Sequence, residues 1–345
     1  MELCVTVYTT DPLSDPRWDD LVARHPNASA FHERAWLKAL ARTYAYEPFV
    51  LTSSPPGQVL TDGLVLCRVA SWLTGTRAVS LPFADHCEPL LDQNSKASVF
   101  AGWLRERCEA GQWKYVELRP LSWPEPALPS QRSYCYHTLD LTASLDEIFR
   151  SFHPSSMQRR IRRAEKEGLS LEVGTTELLD PFYRLLLITR RRHRLVPQPR
   201  AWFRNLLECM GDKAQIRMLR KNDIPVAALL TLRQRATVMY KYGCSDEAFH
   251  SLAPMPLLFW HLIIDSKQEG ATALDLGRSD LDQHGLITFK DHLGARARQI
   301  TYFRYPPEGK RATALSNFRS MRGLVSWLPD AALSMAGNVL YRHVG

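Results

Sequence analysis

The residues with the most chemical potential in this chain fall between Thr237 and Lys290. Asp275, Arg278 and Ser279 sit where the apolar run Ala273-Leu-Asp-Leu-Gly277 gives out, and Lys290 follows soon after, next to Phe289. A fixed ammonium can stabilise a developing oxyanion or a leaving phosphate-ester oxygen. A carboxylate can orient an attacking amine or take its proton. Lys290 and Asp275 are therefore the candidate catalytic pair for a transfer reaction, and Arg278 suits binding, because a guanidinium keeps its proton. Plainer roles are open to each: Lys290 pairing with Asp291 at a helix start, Asp275 capping the turn that follows it.

A second constellation is cationic. Met157-Gln-Arg-Arg-Ile-Arg-Arg-Ala-Glu-Lys-Glu-Gly168 brings Arg159, Arg162, Arg163 and Lys166 within reach of one another at spacings of three and four. Arginine forks match phosphate oxygens, so Arg159, Arg162 and Arg163 are candidate contacts for a phosphorylated substrate. The alternative is a solvated linking helix whose Glu165 and Glu167 pair internally. Tyr240 and Tyr242 alternate along one apolar run, which predicts a shared strand face. They either line the site, with Tyr242 as a binding residue, or fill the core.

These groups need elements to hold them. Thr237–Cys244 reads as a strand, Met255–Glu269 as a helix and Ala273–Gly277 as a second strand: a β-α-β unit with a right-handed connection. Open α/β sheets place ligands where such strands end. Upstream, residues 3–9, Phe49–Thr52, Gly63–Val69, Ala78–Phe83, Tyr115–Leu118 and Tyr134–Leu141 read as strands or short apolar runs. Trp18–Val22, Trp36–Tyr44 and Ser98–Ala110 have helical spacing, with Asp15 and Ser29 as starts. Residues 144–152 and 154–168 predict linking helices, Gly168 closing the second. The order then repeats: strand (Leu169–Val173), helices (Leu178–Arg191 and Arg200–Met210), strands (Gln215–Leu219 and Val226–Arg233), the β-α-β unit and a last strand, Arg298–Tyr305. The class is α/β (α+β), with domains at 1–143 and 144–310 and a tail at 311–345. In the tail Leu315, Phe318, Met321, Leu324, Val325 and Leu328 share a helical face beside Arg319 and Arg322. That pattern fits a basic amphipathic helix on an anionic membrane, or a helix packed on the body with its basic side outward.

Composition sets the bounds. With 45% hydrophobic and 23% charged residues, the 345-residue chain has enough apolar material for two ordinary cores and is not of the disordered class. Its net charge of +8 and pI near 9.2 favour anionic partners, with excess at Arg159–Lys166 and Arg190-Arg-Arg-His-Arg194. Seven scattered cysteines without a C-x-x-C pair argue against a disulfide frame or zinc site. The start lacks a secretory pattern and no window suits a membrane span, so a cytoplasmic protein is expected. Nucleophile elbows, Walker loops, G-x-G-x-x-G and H-E-x-x-H are absent. His193, His261 and His284 lack metal-ligand spacing, so no metal is expected, and nothing signals DNA binding.

Several segments in order carry a resemblance: Phe31-His-Glu-Arg-Ala-Trp36, Ser80-Leu-Pro-Phe83, Arg159-Arg-Ile-Arg-Arg-Ala-Glu-Lys-Glu-Gly168, Tyr242-Gly243, Asp275-Leu-Gly-Arg-Ser279, Phe289-Lys290, Gly294, Tyr302-Phe-Arg-Tyr305 and Leu340-Tyr-Arg-His-Val-Gly345. Together they span nearly the whole chain, which resembles the FemAB-related proteins of the GNAT superfamily, including those encoded with bacterial exopolysaccharide systems. The resemblance implies two tandem GNAT-like domains, each a mixed sheet flanked by helices. It implies N-acyl or aminoacyl transfer, with acyl-CoA or aminoacyl-tRNA as co-substrate and a phosphate-linked sugar or peptide as acceptor, in cell-envelope or exopolysaccharide biosynthesis. Lys290 matches the lysine of the family's Phe-Lys motif. The chain departs from the pattern in two places: Asp291-His-Leu293 replaces the aromatic continuation, and the stretch between Gly243 and Met255, where an acyl-CoA loop would fall, holds no glycine. Backbone cradles for pyrophosphate usually need such glycines, which leaves the donor open. The competing expectation is a non-catalytic scaffold of the same fold that binds polysaccharide precursors.

Overall fold

A computed structural model describes residues 5–123, 128–307 and 330–344. The chain forms two compact units, one of Met1–Ser133, Ile300–Ser320 and Asn338–Gly345, the other of Tyr134–Gln299 and Met321–Gly337.

The first unit contains β1 (Tyr8–Thr10), α1 (Pro16–Arg24), α2 (Arg34–Tyr44), β2 (Glu47–Thr52), β3 (Leu64–Val69), β4 (Arg77–Val79), α3 (Lys96–Glu109) and β5 (Val116–Leu118). Neighbouring strands run antiparallel except β4 and β5, which are parallel. Asp15 caps α1 by accepting from the Arg17 N–H, as the sequence predicts. Ser29 does not cap α2, whose N-cap is Glu33. Phe100, Ala101 and Leu104 of α3 pack on the sheet with Leu64, Leu66 and Val116. A buried polar cluster centres on Asp62. Asp62 accepts from Thr52 Oγ1 at 3.0 Å, Ser53 N at 2.8 Å and Lys96 Nζ at 2.6 Å.

The second unit holds β6 (Ser130–Asp140, from Tyr134 on), α4 (Leu145–Ser151), a π-turn at Pro154–Gln158, α5 (Arg159–Ala164), β7 (Ser170–Gly174), α6 (Leu179–Arg192), α7 (Arg200–Met210), β8 (Ala214–Lys221), β9 (Ile224–Gln234), β10 (Thr237–Ser245), a 3-10 turn at Glu247–Leu252, α8 (Pro254–Gln268), β11 (Ala273–Asp280) and α9 (His284–His292). Its sheet order is β6-β11-β10-β9-β8-β7. Only β10 and β11 are parallel within it, so the expected β-α-β unit is present. Leu257, Leu258, Phe259, Leu262 and Ile263 of α8 are all buried, so the connecting helix is apolar on more than one face.

Two strands close sheets the sequence did not assign them to. Tyr134–Asp140, read as the end of the first half, pairs antiparallel with β11 of the second unit. The last strand, β12 (Arg296–Tyr305), read as the end of the second half, places Phe303–Tyr305 against β5 of the first. An alternating pattern marks a strand but not which open edge it satisfies. The expected tail face from Leu315 to Leu328 lies outside the described residues. The helix beyond it is α10 (Asp330–Val344). In its last turn His343 Nδ1 lies 3.0 Å from Ser71 Oγ, and the His343 carbonyl accepts from buried Arg77 at 2.8 Å. Among the described residues no helix is long and apolar enough to cross a membrane.

Burial would raise the pKa of Asp62, but the hydrogen bonds from Lys96 and Ser53 outweigh it and hold the carboxyl below its usual range. A depressed carboxyl stabilises above its unfolded pKa, and that contribution is lost as pH falls through the folded one. Lys96→Met should cost about 3 kcal/mol at neutral pH, measured as an earlier urea transition, and should shrink the acid-side loss of stability. A transition matching that of Lys114→Met, at an exposed lysine that also lies in this unit, would show the pair to be idle.

Candidate active site

The parallel ladder between β10 and β11 is short. Thr237, Val238 and Met239 pair with Ala273, Leu274 and Asp275. Each strand then breaks register against its other neighbour. The β10–β9 ladder shifts between Tyr240 and Tyr242, and the β11–β6 ladder shifts between Asp275 and Arg278. Bulges bend and twist a strand. Two of them placed just beyond one paired stretch let β10 and β11 part, and a cavity of about 450 Å3 opens between them, lined by Tyr240, Gly243, Ser245, Leu276, Phe289 and Lys290 among others.

The bulge in β11 has a specific construction. Gly277 has φ +69°, a conformation that costs an L side chain energy and glycine little. Asp275 Oδ1 accepts from the Gly277 N–H at 2.7 Å, and Lys290 Nζ donates to the Gly277 carbonyl at 3.0 Å. One peptide is held from both ends. Lys290 also reaches Ser279 Oγ at 2.9 Å and the Arg278 carbonyl at 3.4 Å, so three contacts of its ammonium lie at the end of β11. It is 2% exposed and yet lines the cavity. The two residues expected to act as a catalytic pair thus meet across the Gly277 peptide. Asp275, 4% exposed, is not among the lining residues.

The bulge in β10 divides the two tyrosines expected on one face. Tyr240 packs edge-on against Phe259 of α8 and lines the cavity. Tyr242 turns to α7, where its hydroxyl accepts from Trp202 Nε1 at 2.9 Å and its ring meets Phe203. The extra residue, Lys241, reverses the alternation. A methyl added at Gly243 would occupy the place of the Tyr240 hydroxyl, so glycine there keeps the ring where it is.

The remaining wall comes from α5, α6 and the 3-10 turn. Thr189 accepts from the Ser245 N–H at 2.9 Å and donates to the Ser245 carbonyl at 3.1 Å, fastening α6 to the end of β10. One turn later Arg192 Nη1 donates to His250 Nε2 at 3.1 Å, and Ser245 Oγ lies 3.0 Å from the same nitrogen. Burial lowers the His250 pKa, with Arg192 adding to the effect and Glu247 opposing it. Burial and Arg192 likewise lower that of His193. Arg160 completes the lining from α5.

The other expected binding residues stand elsewhere. Ile161 and Ala164 bury the inner face of α5, which leaves Arg159, Arg162 and Arg163 exposed. Arg162 lies over the Phe149 ring at 5.3 Å, and Arg163 donates to the Ser251 carbonyl. Arg278 stacks over Tyr134 at 4.1 Å and pairs with Asp280 at 3.2 Å. Arg160 stands in the same basic run, and no local pattern sets it apart from Arg159, Arg162 and Arg163 as the one that faces the cavity. Arg192 and His193 lie in the basic run Arg190-Arg-Arg-His-Arg194, and nothing in the sequence joins that run to His250.

Residues 151–290 match the family model described as acetyltransferase (GNAT) domain. No curated protein sequence matches the chain. Among solved structures, FemX is similar with a TM-score of 0.66 at 14% identity, over 88% of this chain and 97% of that one. The C-terminal domain of a putative lysylphosphatidylglycerol synthetase from Agrobacterium fabrum has a TM-score of 0.58 at 13% identity, covering 88% and 94%. A tandem GNAT protein from the clavulanic acid biosynthesis pathway has a TM-score of 0.53 at 13% identity, covering 88% and 100%. The fold is therefore that of tandem GNAT-like domains, as the sequence resemblance implies, and the matched segment contains the split strands, their bulges and Lys290.

Lys290→Met keeps the apolar stem but removes every N–H that holds β11. It should cost about 2 kcal/mol and lower the Tm by several degrees, with Gly277→Ala acting in the same direction through its positive φ. A calorimetric Tm unchanged in both variants would mean that the clasped peptide does not hold the strand.

Proposed function

We propose that this GNAT-superfamily acyltransferase moves an acyl or aminoacyl group to an amino group of a phosphate-linked sugar or peptide precursor, and that the transfer occurs in the cleft between β10 and β11. The splayed strand pair is the observation that carries this reading. Beyond Met239 and Asp275 the two strands no longer bond to each other. Each therefore turns backbone donors and acceptors toward the gap, which suits an extended, amide-containing arm of a donor or acceptor. Tyr240, Leu276 and Phe289 give the cleft apolar walls.

Lys290 and Asp275 serve the reaction chiefly by position. Their clasp on Gly277 fixes the bend of β11, and with it the backbone groups that would touch the reacting carbonyl. Lys290 also lines the cavity, where its ammonium would meet a developing oxyanion. The exposed arginines of α5, Arg159, Arg162 and Arg163, are the proposed contacts for the phosphates of the acceptor, and Arg278 supports β11 from its stack on Tyr134. The names of two similar structures, FemX and a putative lysylphosphatidylglycerol synthetase, support a place in cell-envelope chemistry. Work at the cytoplasmic face of a membrane, on a lipid- or nucleotide-linked acceptor, fits the excess of positive charge.

The test is transfer itself. Purified protein is incubated with acetyl-CoA or with charged tRNA, plus a phosphate-linked amino sugar or peptide, and the product is followed by mass. Gly243→Val, whose side chain displaces the Tyr240 ring in the cleft, should lower turnover at least tenfold, about 1.4 kcal/mol on the barrier, in protein whose circular dichroism shows it to be folded. Equal turnover in Gly243→Val would move the reaction out of this cleft. Binding of a precursor with consumption of neither donor would favour the non-catalytic scaffold.

A further inference from the structure

The cavity has a one-sided charge that transfer alone does not require. Arg160, Arg192, His193, His250 and Lys290 line it, and no aspartate or glutamate does among the described residues. Lys290 is committed to β11. The others converge from separate elements: Arg160 from α5, Arg192 and His193 from the end of α6, His250 from the 3-10 turn. Neither Arg160 nor Arg192 has a carboxylate partner among the described residues. Arginines at the end of α6 also complement the helix dipole, but that role is met by Arg190 and Arg191 and does not call for the fixed geometry of Arg192. Its guanidinium is braced on His250, which is braced in turn by Ser245, which Thr189 fastens to α6.

We propose that this corner of the cleft binds a phosphate-ester anion, gripped by the side chains of Arg160, Arg192 and His250 rather than by backbone amides at the start of α8. Helix starts ordinarily hold anions with their unsatisfied N–H groups. Here Pro254 and Pro256 have none to offer, and the N–H of Ala253 donates to the His250 carbonyl at 3.1 Å. Met255 is left as the one first-turn donor. A planar guanidinium offers paired donors that match phosphate oxygens, and two of them beside an imidazole supply from side chains what the helix start lacks. The missing glycines between Gly243 and Met255 and the charged wall are then two sides of one arrangement. The inference rests on the transfer reading for what the phosphate belongs to, the acyl donor or the acceptor, but the grip itself can be measured without turnover.

The experiment is calorimetric titration of the full chain with inorganic pyrophosphate, repeated with coenzyme A. Pyrophosphate should bind the wild-type protein. Arg192→Gln and Arg160→Gln should each weaken binding roughly tenfold, and Arg184→Gln, on the exposed side of α6 away from the cavity, should leave it within twofold. Should Arg192→Gln fail to fold, Arg160→Gln decides. No binding to wild type, or equal binding by all variants, overturns the proposal. Coenzyme A displacing pyrophosphate identifies the donor as the source of the phosphate, and failure to displace it assigns the phosphate to another substrate. Either result retains the grip. Loss of the grip with intact transfer removes this inference alone, whereas loss of transfer with the grip intact removes only the transfer reading.

Discussion

The architecture of the second unit turns on one peptide group. The Gly277 amide is held on its N–H by Asp275 and on its carbonyl by Lys290, in a backbone conformation that glycine alone adopts cheaply. That clasp sets the bulge where β11 leaves β10, and a second bulge at Lys241 lets β10 leave in turn. A continuous parallel ladder here would pair every backbone group and leave no cleft. Interrupted after three residue pairs, it exposes two strand edges inside a buried sheet, an arrangement that is costly unless something fills it. The cavity is thus a consequence of strand geometry, and its lining follows from which side chains the flanking helices bring to the gap.

Electrostatics then determine what may enter. A cavity lined by arginines, histidines and a lysine, without an acid, repels amines in their charged form and draws anions. In the proposed transfer an attacking amine would have to arrive neutral or lose its proton inside. Burial and Arg192 lower the pKa values of His193 and His250, and each turns its Nε2 to an Arg192 N–H. The charge excess that composition announces as +8 is therefore partly local: some of it lines the cleft, and some lies on the outer face of α5.

How much of this the sequence disclosed depends on the range of the interaction. Helices α1, α2 and α7 are legible from spacing because their burial repeats with the helical period, and α8 and strands β3 and β9 are legible as continuous apolar runs. Helix α9 was not legible as a helix. It is short, and Gly285, Ile287 and Thr288 all weaken helix propensity, so Lys290 read as the end of a loop. The bulges were invisible for the same reason they matter: an inserted residue keeps the composition of a strand while reversing its faces, and Tyr240 and Tyr242 looked like neighbours although they point to α8 and α7. Asp275 and Lys290 were legible as a pair, but not the peptide between them, because only a φ value reveals why Gly277 stands there. The wall of Arg160, Arg192 and His250 is assembled from three segments far apart in the chain, and no local pattern joins them.

Under the proposed transfer, Lys290 would have a structural and a chemical duty at once. An ammonium whose three N–H groups already have oxygen partners cannot meet a new oxyanion without releasing one of them, and releasing the Gly277 carbonyl would slacken the bulge that shapes the cleft. The weakest of the three contacts, to the Arg278 carbonyl at 3.4 Å, is the one that can be exchanged at least cost. A substrate oxygen arriving along the edge of β11 would compete with that carbonyl alone and leave Gly277 and Ser279 bound. On the proposed transfer reading, shape and charge stabilisation would not be alternatives for this residue: two of its hydrogen bonds would keep the strands apart, and the third would be the one a reacting carbonyl replaces.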